Sequence, residues 1–157
     1  GATRERKETI PIRALMPGVA VHMAGCCHPL PGERIIGILT AGKGVTIHTI
    51  DCETLEQFNA TPERWLDVSW DASANPDQFH VGRIETVLSN TPGTLSRLTT
   101  VIANNHANIS NLKITDRSSD FYEFLIDIEV KDLTHLTGII AALRAEAAIN
   151  SVERIRG

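Results

Sequence analysis

Three cysteines and one histidine are spaced so that they could share a metal ion. Cys26 and Cys27 are adjacent, and the segment that follows them closes on His48 and Cys52, four residues apart. Zinc takes four nitrogen or sulfur ligands near the corners of a tetrahedron, and thiolates and imidazole supply them. If the chain makes a helical turn from His48 to Cys52, both side chains fall on one face. The adjacent cysteines can chelate one ion only if the backbone bends sharply between them, which Gly25 before and the run His-Pro-Leu-Pro-Gly after would permit. His28 is an alternative ligand, less able to reach the same ion because it directly follows Cys27. Two other readings stay open. The pair could be redox-active, although vicinal cysteines close only a strained disulfide; or the thiols could be small buried apolar groups.

A second stretch, Leu-Ser-Asn-Thr-Pro-Gly-Thr-Leu (residues 88–95), could bind a small zwitterion. Thr91 suits a helix cap and Pro92 the first helical position, where its missing N–H has no partner to lose. Gly93 would let another molecule approach the backbone. Free N–H groups at a helix start attract a carboxylate, and strand-end carbonyls accept from an ammonium. On the loop alone, a well-made helix start with no ligand is the competing reading.

The elements needed to position these groups are legible on either side of an acidic, small-residue stretch around Pro76, which reads as a linker over residues 71–80. Beyond it, Ile84, Thr86 and Leu88 alternate as a strand. Leu95, Leu98, Val101 and Ile102 then recur at helical spacing. Residues 109–117 alternate again, and after a turn Tyr122, Phe124, Ile126, Ile128 and Val130 share one face opposite Glu123, Asp127 and Glu129. A second helix carries Leu133, Leu136, Ile140 and Leu143, and residues 150–156 close as a strand. The order β-α-β-β-α-β over residues 81–157 is the split βαβ arrangement of ferredoxin-like domains. Its sheet would be covered on one face only, which favours self-association.

Residues 14–70 read as a small α+β module after an N-terminal segment 1–13. Short strands flank Gly25, Gly42 and Gly44, a short helix begins at Asp51, and residues 64–70 form a strand with Leu66 and Val68 opposing Trp65, Asp67 and Ser69. A module of this size is often stabilised by a metal or an oligomer contact. The fold class is therefore α+β throughout.

Charge narrows the partners. Six cations face three acids over residues 1–50, one faces seven over 51–80, and eight face nine over 81–157. That disfavours a generic basic nucleic-acid binder, while a local basic surface could still touch phosphate. No apolar run is long enough to span a bilayer and no signal peptide is evident. Three cysteines suit a reducing cytoplasm. The charged opening run reads as a solvated helix face or linker in a piece of a longer protein. His22, His80, His106 and His135 have no partner at ligand spacing, Trp65 and Trp70 suit core anchors, and Lys43 between glycines lacks the Walker pattern. No Ser/His/Asp set or carboxylate pair is present, and a closed four-ligand metal site leaves no position for substrate, so an independent enzyme is disfavoured.

The stretch CCHPLPGERIIGILTAGKGVTIHTIDC carries, in order, Cys-Cys, Pro-x-x-Gly, Ile-x-Gly, Thr-x-Gly-x-Gly and His-x-x-x-Cys. It resembles the conserved-cysteine, zinc-finger-like module in the C-terminal half of long Rel/Spo stringent-response proteins, which make and hydrolyse the alarmone (p)ppGpp. In that family an ACT domain follows, and residues 81–157 are similar to one. The resemblance implies that Cys26, Cys27, His48 and Cys52 are the zinc set and that the fragment is non-catalytic. It implies a parent acting as GTP/GDP pyrophosphokinase and (p)ppGpp 3'-pyrophosphohydrolase, with its catalytic domains upstream. It also implies docking on the ribosome, against ribosomal RNA and A-site tRNA. The family often has arginine after the histidine; here Thr49 stands there, leaving Arg34 and Lys43 as the RNA-contact candidates. ACT domains sense amino acids between their first loop and the second strand of a paired domain. By position that implicates Asn90, Thr91, Pro92, Gly93, Thr94 and Leu95, with Asn108, Ile109 and Ser110 across a homodimer interface. Leu95 and Ile109 would favour valine, isoleucine or leucine. The expectation is a branched-chain amino-acid sensor that tunes the upstream domains, toward hydrolysis; the alternative is a ribosome- and tRNA-docking module without a small ligand.

Overall fold

Alternation of apolar and polar residues forces strands to pair so that one face is buried, and two groups of strands do this independently. The computed structural model describes residues 10–12, 18–70 and 78–157. The chain separates into two compact units, one comprising Gly1–Pro29 and Glu33–Asn75, the other Leu30–Gly32 and Pro76–Gly157. The charged opening run and most of the 71–80 linker lie outside the described residues.

In the second unit, β7 (His80–Ser89), β8 (Asn108–Arg117), β9 (Phe121–Val130) and β10 (Ile149–Ile155) form an antiparallel sheet in the order β10-β7-β9-β8. Strand β7 begins at His80, inside the expected linker, because His80 still pairs with Val130. Helices α1 (Thr94–Asn104) and α2 (Leu133–Arg144) connect the strands. Ile84, Leu88, Phe124, Ile126, Ile128 and Val130 are buried with Leu98, Ile102, Leu136, Ile139 and Leu143 of the helices in one core. Thr86 shares that buried face without penalty because its hydroxyl donates to the Ser151 carbonyl at 2.8 Å. Ile139 takes the central core position on α2, while Ile140 is only partly buried. Asp132 caps this helix, its carboxylate accepting from the His135 N–H at 2.7 Å. Leu30 is completely buried in this same core, and the Leu133 N–H donates to the Pro31 carbonyl.

The start of α1 departs from the expectation. Thr91 does not cap it and Pro92 is not its first residue. The N-cap is Gly93, in the left-handed region at φ 85°, and the helix begins at Thr94. A backbone turned that way cannot continue a right-handed helix, so Pro92 stays in the preceding turn. Open space surrounds Gly93, so its conformation rather than close packing is what calls for glycine.

The first unit contains a mixed sheet in the order β2-β4-β3-β5, built from β2 (Val21–Met23), β3 (Ile35–Thr40), β4 (Gly44–Thr49) and β5 (Trp65–Leu66). A separate parallel pair joins β1 (Ile10–Pro11) to β6 (Val68–Ser69). The single strand expected over 64–70 is therefore two, which pair with different partners. The short helix is a 3-10 segment, Glu53–Phe58, with Cys52 rather than Asp51 at its cap. Its opening bond runs from the Leu55 N–H to the Cys52 carbonyl, the tighter spacing of that helix type. Trp65 and Trp70 pack against the two small cores of this unit and donate to the carbonyls of Phe58 and Glu33.

Gly44 marks the tightest point of this sheet. It has φ 95°, and a Cβ there would overlap the carbonyl oxygen of Ala20, which accepts from Val45 N–H at 2.8 Å. Gly44→Ala is therefore expected to lower the stability of the first unit by roughly 2 kcal/mol or more, from strain plus a displaced backbone bond. A denaturant midpoint unchanged from the parent would contradict this. Among the described residues, no helix is long and apolar enough to cross a membrane.

Candidate functional site

The metal-ligand set converges from three places in the first unit. A turn over Gly25–Cys27, closed by the His28 N–H donating to the Ala24 carbonyl at 2.9 Å, supplies the sharp bend the adjacent cysteines require. It leaves Cys26 exposed and Cys27 1% exposed. His48 lies on β4, next to Thr49 at its end, and Cys52 follows a turn in which its N–H donates to the Thr49 carbonyl at 3.0 Å. His48 and Cys52 thus meet through a strand end and a turn, not through the helical turn that their spacing suggests. Cys26 Sγ lies 3.4 Å from His48 Nδ1 and 3.5 Å from Cys52 Sγ. All four donor atoms fall within 4.8 Å of one another. A tetrahedral zinc ion with bonds of ~2.3 Å to sulfur and ~2.0 Å to nitrogen keeps its donors roughly 3.5–3.8 Å apart. The two Cys26 distances match that spacing, and the set as a whole is compact enough to close around such an ion. His28, at φ 45°, is not part of the cluster.

The surroundings treat the thiols differently. The Thr49 N–H donates to Cys27 Sγ at 3.4 Å. Burial raises the Cys52 thiol, but hydrogen bonds from Thr54, Cys26 and Cys27 together outweigh it and leave the thiol below its ordinary range. Burial pushes Cys27 up to about 12, so in the absence of a cation it holds its proton. Burial lowers His48, keeping the imidazole neutral as a ligand must be. Thr49 is itself 1% exposed, which removes it from any surface that phosphate could reach. Arg34 and Lys43 are exposed but stand at opposite ends of β3, so they do not form one cationic patch.

In the second unit, the loop from Asn90 to Leu95 borders a cavity of about 370 Å³. Its apolar walls are Leu95, Leu112, Ile114, Tyr122 and Phe124; Ser89, Thr91, Thr94, Ser96 and Arg117 also line it. The hydroxyls of Thr91 and Thr94 bond to each other at 2.8 Å beside it. Asn90 and Pro92 do not line this cavity: Asn90 donates to the Ser118 carbonyl, and Pro92 lines a second, more polar cavity of about 440 Å³ with Arg97, Thr100 and Ala148. Asn108, Ile109 and Ser110 sit at the far end of β8 and do not meet the loop within one chain. Strand β8 is one of the two edges of the sheet; Ile114 on it and Leu95 on α1 are 49% and 44% exposed. Sequence reasoning missed Leu112, Ile114, Arg117, Tyr122 and Phe124 as cavity residues. Tyr122 and Phe124 already stood on the alternating buried face, which was the available signal.

Residues 10–71 match the RelA/SpoT RIS domain family, and residues 77–154 match the ACT domain family. The chain carries a RelA/SpoT RIS domain followed by an ACT domain. The RIS match takes in the first unit, with the cysteine cluster, together with Leu30–Gly32 of the second; the ACT match falls on the rest of the second unit, with the loop cavity. The chain is 39% identical over 153 residues to the GTP pyrophosphokinase rsh of Brucella suis, covering 96% of this chain and 20% of that protein. It is 30% identical over 139 residues to the bifunctional (p)ppGpp synthase/hydrolase SpoT of Escherichia coli, covering 88% of this chain and 20% of that one. It spans about a fifth of the length of the curated relatives it matches. The crystal structure of the ACT domain from the GTP pyrophosphokinase of Chlorobium tepidum is similar to 50% of this chain and is covered completely, at 23% identity and a TM-score of 0.44.

Proposed function

We propose that this RIS–ACT region is the C-terminal regulatory part of a cytoplasmic (p)ppGpp synthetase/hydrolase, and that its ACT domain binds a branched-chain amino acid at a homodimer interface. The observation that carries this reading is the apolar loop cavity of about 370 Å³, open beside the free edge of β8. An edge strand carrying exposed Ile114, near exposed Leu95 on α1, is a natural place for a second copy to join. The walls suit a branched aliphatic side chain, and a cationic one would be left without a partner there, since no Asp or Glu lines the cavity.

Binding then shifts the upstream catalytic domains only if the ligand favours one of their states, and we assign that bias to hydrolysis when amino acids are plentiful. In the RIS domain, zinc held by Cys26, Cys27, His48 and Cys52 would be structural. A closed set of four protein ligands offers no open position for chemistry. The reading of the RIS domain as an RNA-docking surface through Arg34 and Lys43 is less favoured, since the two cations are separated by the length of β3.

Calorimetric titration tests the sensor reading. L-valine is expected to bind with a Kd at or below millimolar and to raise the unfolding midpoint of the ACT domain, whereas L-lysine does neither. Equal heats for the two, or none for valine, would rule the reading out.

A further inference from the structure

The end of β8 breaks its own alternation, and the break changes the charge that faces the cavity. Leu112 stands opposite Ile126 and Ile114 opposite Phe124, on the side of the sheet where Phe124 and Ile126 are buried. Strict alternation would bring Asp116 to that side next. Instead the register shifts between Ile114 and Asp116, so that Asp116 pairs with Glu123 and Arg117 pairs with Tyr122. An extra residue of this kind re-aims every side chain beyond it. Tyr122, Phe124 and Ile126 alternate onto one face, and Arg117 therefore joins Leu112 and Ile114 on the cavity wall in the place where an aspartate would have stood.

Arg117 has no side-chain hydrogen bond or ion pair among the described residues; its backbone N–H donates to the Asp116 carboxylate at 2.9 Å. No Asp or Glu lines the cavity. A cavity with apolar walls, one uncommitted guanidinium and no competing carboxylate is matched to an anion with an apolar tail.

Resting on the sensor reading above, we propose that Arg117 is the carboxylate anchor of this cavity and so a specificity-determining residue. It pairs with the ligand's carboxylate and directs the aliphatic side chain toward Leu95, Ile114 and Phe124. The ligand class is then an apolar monocarboxylate, with the charge read by β8 rather than by the loop alone.

The test uses the chain as it stands, with Arg117→Gln and Arg117→Lys, titrated with L-valine and with L-valinamide, which lacks the carboxylate. Arg117 is exposed, so both variants are expected to keep the parent unfolding midpoint. Arg117→Gln is expected to weaken valine roughly 10- to 100-fold, the range for a lost charge-assisted contact, with Arg117→Lys in between. Valinamide is expected to bind the parent weakly and to lose nothing further in Arg117→Gln. If the parent binds valine and Arg117→Gln binds it equally well, the anchor assignment fails while the sensor reading stands. The anchor fails in the same way if Arg117→Gln weakens valine and valinamide alike. If the parent binds neither compound at millimolar concentration, the sensor reading fails and takes the anchor with it.

Discussion

Stripping the zinc proposed for Cys26, Cys27, His48 and Cys52 is expected to unfold the RIS domain while the ACT domain keeps its secondary structure. The RIS domain has two small cores, one around Ile35, Val45, Ile47 and Val68 and the other around Ile36, Ile38 and Leu55. Structural zinc contributes an apparent ~10–16 kcal/mol in small metal-dependent folds, comparable to the whole stability of a typical domain at ~5–15 kcal/mol. Without the ion, the Gly25–Cys27 turn, the end of β4 and the 3-10 segment lose the tie that holds them together. The readout is clean because both tryptophans, Trp65 and Trp70, lie in the RIS domain. Chelation is expected to red-shift their fluorescence and abolish their near-ultraviolet dichroism, with one equivalent of zinc released. Cys27→Ser, which replaces the buried ligand, is expected to purify without zinc and already in that state. A protein that contains no zinc and shows the same tryptophan transition with and without chelator would defeat the prediction.

Leu30→Ala is expected to destabilise the ACT domain by about 2.5–5 kcal/mol. Leu30 is 0% exposed among Ile84, Leu136, Ile139 and other core residues, and truncating it removes transfer energy and leaves a cavity. That is a large share of a domain's stability. Met23→Ala, at a position 40% exposed, is the control and should stay within about 0.5 kcal/mol. Thermal unfolding followed by far-ultraviolet dichroism compares the two. If Leu30→Ala unfolds at the control's midpoint, Leu30 does not belong to that core.

Much of the fold could be read directly from local pattern. The strands carrying Ile84, Thr86 and Leu88, and Tyr122 through Val130, alternate with period two because each residue's face is set by its neighbours. Helix α1 showed its period but not its first residue. Gly93 adopts a left-handed conformation that glycine permits without requiring, so the three letters Thr-Pro-Gly are compatible with two starts. The 64–70 strand failed for a different reason: a single run of alternating residues does not state that Leu66 and Val68 pair with different partners.

Composition and spacing singled out Cys26, Cys27, His48 and Cys52 as a metal set with His28 as an alternative, and predicted the order β-α-β-β-α-β over residues 81–157. Those are properties of residue type and short-range period. Only the tertiary structure decided that Cys26 comes within 3.5 Å of side chains 22 and 26 positions away, and that this happens through a strand end and a turn. It also decided that Leu30, inside the Pro-Leu-Pro-Gly run after the adjacent cysteines, is buried in the core of the second unit. At the end of β8, it placed Arg117 instead of Asp116 on the cavity wall. The reason is common to all three: burial, ligand distance and strand register depend on the partner segment that each residue meets. That partner is set by long-range closure of the chain, to which local periodicity is blind.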